Sequence, residues 1–529
     1  MRDSLYCFSI NYLKIFGLLK KEIVLDLRDA SSDSPIYFIG QNGSYKSTTI
    51  EIIYAIFASY DAPSIIKKYA IDYDLEYTKH GNTVHIIKHQ NLYDLTIKPV
   101  GFDNVSMKSV KINTVRHTLI NRHLLPLRVI SFYAGENDRI QKMSRIASRG
   151  YNVKLNKRIN RLMESINEKI PPYLLQKRYI HGDNNLIPLL LVKASSNRKH
   201  VDILLKEKCH IESLESITFS TDLVLKSSKK TLSVTEAKDL LFSVFPKAQK
   251  LIRLIGKAHK KDEYGDPRGT ISICYRFNEE NSFFTEVYEL YDFLASTFEG
   301  TIRTYMKTSD ESNDRINDTQ LSQGQRQWVK ILGLLSLVCD GDDLVLMDEP
   351  DAFMNPVWKY EFHETIQKVL GSESPGVNLI VTHDPLLING VPKEQIRIFE
   401  RNDNQVLIQE PISDTYGLGI DGILRSSYYG LTTTVDQMTS VKYFRRMLLY
   451  SKAINNELSD RREKQELFNL TKELGSLPVF NLSIDYLYLD FLKAYEKLDL
   501  AKKEYLTPEE IKEKKDSIER ILRALFKGH

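Results

Sequence analysis

At 529 residues, with 42% apolar and 27% charged side chains, the chain is long enough for more than one structural unit and has an ordinary globular composition. With 73 basic residues against 69 acidic the net charge is only +4, so any nucleic-acid contact must be a local patch. The four cysteines lie far apart with no C-x-x-C pair, against a disulfide framework or zinc site, and no apolar run reaches the ~18 residues of a membrane span. The expectation is a soluble, cytoplasmic protein without a signal peptide.

In chain order, residues 5–28 read as two strands, YCFSINYLKIF and EIVLDL, split by a GLLKK turn. IYFI (36–39) is a short apolar strand that runs into GQNGSYKST, and STTIEIIYAIFASY then carries apolar residues at helical spacing. Strand, glycine loop and helix are the context of a phosphate-binding loop, G-x-x-x-x-G-K-[ST], except that Tyr45 stands where that pattern has glycine. Residues 70–134 alternate strand-like runs and end on LRVISFYA. From about 138 to 262 the chain reads as mainly helical, with one alternating stretch, SITFSTDLVL, and ISICYRF (271–277) reads as a returning strand. LVLM (344–347) and LIVT (379–382) are apolar runs bounded by polar turns, as buried parallel strands are. From about 430 the chain is charged and helical. A capping box there sets Thr507 before Pro508 and Glu510.

Three further motifs share the register of the glycine loop. LSQGQRQ (321–327) opens a helical run, so Ser322 and Gly324 sit where free backbone N–H groups and a positive dipole end face an anion. LVLMDEP (344–350) is an apolar strand ending in two carboxylates, Asp348 to hold Mg²⁺ and Glu349 to polarise a water. LIVTHDP (379–385) puts His383 at the end of another buried strand. Taken singly, each string also reads as a solvated turn or a structural histidine; their order is what carries the reading.

In that order the chain resembles ABC-type ATPase heads, the group that includes transporter subunits, SMC proteins and RecF-like repair ATPases. The resemblance implies an α/β, two-lobed P-loop head with a mostly helical insertion and a helical C-terminal region, divided as 1–140, 141–268, 269–410 and 411–529. It implies ATP and Mg²⁺. Gly40, Asn42, Gly43, Ser44, Tyr45 and Thr48 would belong to the phosphate loop, Lys46 would reach the β- and γ-phosphates, and Ser47 with Asp348 would hold the metal. Glu349 would be the general base and His383 the γ-phosphate sensor. Ser322, Gly324 and Gln325 would serve the nucleotide of a second subunit, making a homodimer or higher oligomer. The family's glutamine linking metal and lobe has no clear counterpart; Gln141 and Asn137 are the candidates. A glycine-only backbone at Tyr45 would cost about 1–2 kcal/mol and slow turnover, whereas an ordinary helical conformation at Ser44 and Tyr45 would cost nothing. In a third reading the ring packs on a neighbouring surface and gates the site.

The insertion is too irregular for an SMC coiled coil and too large for a transporter subunit. Within it PKAQKLIRLIGKAHKK would place Lys247, Lys250, Arg253, Lys257, Lys260 and Lys261 on one helical face. Such a stripe could follow DNA or RNA without sequence preference, or be a solvated outer face. No appended nuclease cluster is legible. LSIDYLYLDFLKAYEKL in the tail reads as core, or as a partner surface. LPLRVISFYAGENDRI, the modest insertion and GIDGILRSSYYGL resemble the compact ATPases of bacterial defence systems, the PtuA-like subunits of Septu and retrons and the ATPase of PARIS. That resemblance implies control of a separate nuclease or toxin effector. The alternative is a RecF/SMC-like repair ATPase acting directly on DNA.

Overall fold

The continuous apolar runs and the alternating ones go to different places in one large sheet. The computed structural model describes the chain outside residues 1–7, 19–20, 31–33, 100–103, 136–137, 165–176, 197–200, 246–254, 258–270, 278–283, 310–313, 338–341, 371–376, 402–404, 432–433, 435, 455–457, 459, 476–515, 518–519 and 521–529. β1 (Ser9–Leu18) and β2 (Lys21–Asp26) pair antiparallel, and β3 (Ile36–Gly40) leads through the glycine loop into the helix Lys46–Ser59. β4 (Asp72–Lys79), β5 (Asn82–His89), β6 (Leu92–Lys98) and β7 (Val105–Val110) form an antiparallel meander on the free edge of β1. β8 (Val129–Tyr133) and β9 (Tyr179–His181) flank the helix Arg139–Glu164. After them come β10 (Ile211–Thr221), β11 (Ile255–Lys257), β12 (Ile271–Arg276), β13 (Thr301–Thr308) and β14 (Arg315–Asn317), then β15 (Leu344–Asp348), β16 (Val377–Val381), β17 (Ile396–Arg401) and β18 (Gln405–Gln409).

Thirteen of these strands form one sheet in the order β7-β6-β5-β4-β1-β2-β18-β17-β3-β16-β15-β8-β9, with β17 through β9 mutually parallel. The parallel strands are buried on both faces, which is why they read as unbroken apolar runs. Ile36 and Phe38 enter one core while Tyr37 and Ile39 enter the other; Leu344 and Leu346 part from Val345 and Met347 in the same way. The antiparallel half alternates instead, as in β2, where buried and exposed residues take strict turns. Each fully buried Leu, Ile or Phe contributes about 1.5–3 kcal/mol, so the two cores pin the parallel strands from both sides.

Most of the described regular structure in 141–268 is helical, as expected, but β10 lies in the middle of a second, five-stranded sheet ordered β11-β12-β10-β13-β14, paired with β12 and β13 from beyond the expected boundary. The alternating stretch SITFSTDLVL begins within β10, whose partners are fixed by long-range pairing. The basic stripe is corrected at Lys257, which ends a strand paired with β12 instead of lying on a helix; Lys247, Lys250, Arg253, Lys260 and Lys261 lie outside the described residues.

The chain divides at Gly430, not at 410, into the units Met1–Gly430 and Leu431–His529. In the second unit the helices Gln437–Ile454 and Arg461–Gly475 pack together, with Arg445 and Glu466 in a two-point ion pair at 2.9 and 2.8 Å. The tail stretch LSIDYLYLDFLKAYEKL and the Thr507 capping box lie outside the described residues. No described helix is long and apolar enough to cross a membrane.

Two histidines of the first unit give a pH expectation. Burial pushes His181 and His363 down to about 4; His363 shares a hydrogen bond with the Tyr37 hydroxyl at 2.9 Å. Unfolded, each takes a proton near 6.5, so their stabilisation is full above pH 6.5 and is lost as the pH falls towards about 4. Denaturant unfolding should show a lower midpoint at pH 5 than at pH 7, and equal midpoints would contradict the assignment.

Candidate nucleotide-binding site

The carboxyl ends of β3, β15 and β16 lie side by side, the place where open parallel sheets hold ligands. Gly40 ends β3 at φ 136°, and a Cβ there would lie 2.2 Å from the Phe399 carbonyl oxygen on β17, so only glycine lets the chain turn there. Gly43 turns at φ 79° with open space around it. Asn42 is exposed, Ser44 is buried, and Thr48 follows in the first turn of the helix.

Tyr45 does not adopt the ordinary helical conformation that would have cost nothing. It caps the helix Lys46–Ser59 at φ 72°, ψ 14°, the left-handed region. Its ring packs against the apolar core below β1 and β2, with the Lys21 ammonium 5.8 Å and the Arg401 guanidinium 6.0 Å from its centroid. Backbone strain of roughly 1–2 kcal/mol is thus offset by cation–π contacts of about 0.5–1 kcal/mol each. Tyr45→Ala would keep the strain and lose the ring, while Tyr45→Gly would lose both. The glycine variant should therefore be about 1 kcal/mol more stable than the alanine one in denaturant unfolding, and the reverse order would refute the strain.

Lys46 is 7% exposed and folds over the loop, its ammonium donating to the Gly40 carbonyl at 2.7 Å and the Gln41 carbonyl at 3.0 Å. Burial holds its pKa below the usual lysine value, against the nearby Glu349 and Asp348 charges. Ser47 Oγ donates to Asp348 Oδ1 at 3.0 Å across the gap between β3 and β15. Burial pushes the Asp348 carboxyl up to about 7, with the Ser47 hydrogen bond acting the other way. A hydroxyl and a desolvated carboxylate facing each other beside a phosphate loop are hard oxygen donors that fit Mg²⁺.

Glu349 leaves β15 at φ 50°, tied by its N–H to the Val381 carbonyl at 2.9 Å, and its side chain is partly exposed. His383 Nδ1 stands 3.0 Å from Glu349 Oε1. The structure thus brings Lys46, Ser47, Asp348, Glu349 and His383 to one end of the sheet.

The LSQGQ stretch stands differently. Ser322 is the exposed N-cap of the helix Gln323–Leu335 and forms a capping box with Gln325: the Gln325 N–H donates to Ser322 Oγ at 3.3 Å, and Gln325 Oε1 accepts from the Ser322 N–H at 2.9 Å. Gln325 Nε2 also donates to the Cys209 carbonyl at 2.9 Å, so its side chain ties the helix to the start of β10. Gly324 is buried, and a Cβ there would meet the Trp358 ring at 3.0 Å. Of the glutamine candidates, Gln141 donates to Asp183 at 3.3 Å, and Asn137 lies outside the described residues.

Sequence reading missed the network behind the site. Asp351 is 2% exposed and bridges Thr382 Oγ1 and the Lys359 ammonium at 3.2 Å each, while Lys359 also meets Asp384 at 2.7 Å. Burial draws the Lys359 pKa down, but its bond to Asp384 and the charge of Asp351 outweigh it and raise the value. The only signal was a third acid, Asp351, in D-E-P-D and the single acid, Asp384, after the histidine in T-H-D. Also missed was Glu51, one turn beyond Ser47, buried and paired with Arg139 at 3.3 Å.

Residues 136–389 match a family described as "AAA domain, putative AbiEii toxin, Type IV TA system". The chain is 28% identical over 138 residues to the Septu protein PtuA of Bacillus mycoides (strain KBAB4), across 26% of this chain and 18% of that one. It is 27% identical over 119 residues to the Retron Vc95 probable ATPase of Vibrio cholerae serotype O1 biovar El Tor, across 20% and 22% of the two chains. It spans about a fifth of the length of the curated relatives it matches. Among solved structures it is similar to the SMC head domain from Thermotoga maritima, with TM-score 0.31 and 10% identity over 76% of this chain and 98% of that one. It is also similar to an Smc head domain derived from Pyrococcus furiosus and bound to the C-terminal domain of ScpA, with TM-score 0.35, 12% identity and coverage of 76% and 96%.

Proposed function

We propose that this SMC-like chain binds and hydrolyses ATP with Mg²⁺, closes as a head-to-tail dimer on two nucleotides, and so controls a separate nuclease or toxin effector. The observation that carries the reading is the juxtaposition of Ser47–Asp348 and Glu349–His383, each pair 3.0 Å apart, at the carboxyl end of one parallel sheet. Loop N–H groups and Lys46 receive the phosphates. Ser47 and Asp348 are the two groups that would hold Mg²⁺, which when bound neutralises phosphate charge. Glu349 takes the proton of the attacking water, and His383, hydrogen-bonded to it, fixes the carboxylate's orientation.

Ser322, exposed at the amino end of its helix, offers N–H groups and a positive dipole end to a nucleotide held by a second copy. Gln325 supports this by bracing the cap and not by touching ligand. The effector role rests on likeness to Septu and retron proteins over short segments. It is tested by tagged pull-down from native cells with ATP, wild type against Lys46→Ala. A nuclease or toxin retained at fixed ratio by the wild type alone supports the reading. Retention of DNA without protein would replace it by a repair ATPase.

A further inference from the structure

The helix Arg139–Glu164 begins beside the short helix Ser64–Lys67, and together they wall a cleft of about 550 Å³. Lys68 enters it from one side and Arg139, Lys142, Arg145 and Arg149 from the other, against one carboxylate, Asp138. Steps of three, three and four residues put the four helix cations on one face. Asp138 is engaged by Lys142 at 2.7 Å, and Arg139 is held by buried Glu51. Among the described residues no carboxylate stands within ion-pairing distance of Lys68, Arg145 or Arg149, and all three are exposed. Mutual repulsion of such cations works against the folded state, so an anion that neutralises them would stabilise it. Ile65, Met143, Ile146 and the Tyr69 ring supply apolar carbon to the lining.

We propose that this cleft holds the phosphodiester backbone of a nucleic-acid strand. At 1.5 Å rise per residue the cations stand about 4.5–6 Å apart along the helix axis, a row that successive phosphates can follow. The lining offers a row of cations and apolar carbon with no amide side chain, so binding is mainly electrostatic and only weakly dependent on sequence. Free phosphate offers the same charge without the row, and an acidic peptide offers charge without phosphate. The site lies apart from the nucleotide loop and requires neither ATP nor its hydrolysis.

The test is fluorescence anisotropy of the full chain with a labelled oligo-dT strand, without nucleotide, over a series of salt concentrations. The wild type should bind, with log affinity falling linearly in log salt. Lys68→Gln, Arg145→Gln and Arg149→Gln together remove three contacts, so they should weaken binding at least ~10-fold and reduce the slope by about 2. The triple change spares Arg139 and Lys142, and an unchanged melting temperature with intact ATP binding marks the fold as preserved. Lys98→Gln, Lys108→Gln and Lys111→Gln, of equal charge change elsewhere, should leave affinity as it was. The proposal is overturned by a wild type that does not bind, or by a triple variant that binds equally well. Displacement of the strand by inorganic phosphate or by polyglutamate far beyond that caused by chloride at the same ionic strength would also overturn it, giving the cleft to a free anion or to an acidic protein segment. Because ATP binding is read separately, its loss would count against the nucleotide site and not against the cleft.

Discussion

Glu349→Gln should lower ATP hydrolysis by about 10²–10⁴-fold while ATP still binds, because it removes the proton acceptor and keeps the shape and hydrogen-bonding of the side chain. The carboxylate is partly exposed, 3.0 Å from His383, and held at φ 50° by the Val381 carbonyl, so it is aimed by the backbone and not by burial. His383→Ala should cost less, since it orients the base without carrying the proton. Phosphate release in single turnover, beside equilibrium ATP binding, separates the cases. A Glu349→Gln variant that hydrolyses like the wild type would move the base elsewhere, with the Asp351 network as the nearest acid cluster.

Gly40→Ala should be the most damaging single methyl in the site. The added carbon would lie 2.2 Å from the Phe399 carbonyl oxygen, on a backbone at φ 136° that side chains rarely adopt. Because β17 is itself packed in the sheet, neither strand can yield cheaply. The expected cost is above ~3 kcal/mol, with loss of ATP binding. Gly43→Ala is the internal control. It meets nothing within 4 Å and carries only its left-handed φ, so about 1 kcal/mol is expected. Denaturant unfolding of both should separate them clearly, and similar values would mean that the close approach of β3 to β17 is not rigid.

Local sequence signals marked the strands and the chemistry but not the pairing. Apolar runs identified β3, β15 and β16 because burial on both faces leaves a contiguous mark, and fixed motifs put Lys46, Ser47, Asp348, Glu349 and His383 at their ends. The second sheet was illegible because β10 finds its neighbours β12 and β13 only across long stretches of chain. The same holds for Glu51 and Arg139, an ion pair spanning 88 positions. Tyr45 could be seen as a departure from pattern, but whether its backbone was left-handed depended on where its ring would rest. Lys21 and Arg401, which decide that, stand on opposite sides of the nucleotide motifs.

The position of β3 has a consequence for how the protein is made. Both its neighbours, β16 and β17, are encoded ~350 residues after it, roughly 20–70 s later at ribosomal speeds. Until they arrive, the nascent chain carries an apolar strand with two open edges, the kind of surface that pairs with other chains. A fragment that stops before Val377 would keep the phosphate loop and lose the strands that shape it, so truncated products should aggregate or be degraded instead of acting as idle binders of ATP. Such a dependence on late synthesis would keep half-made copies from competing with the finished protein.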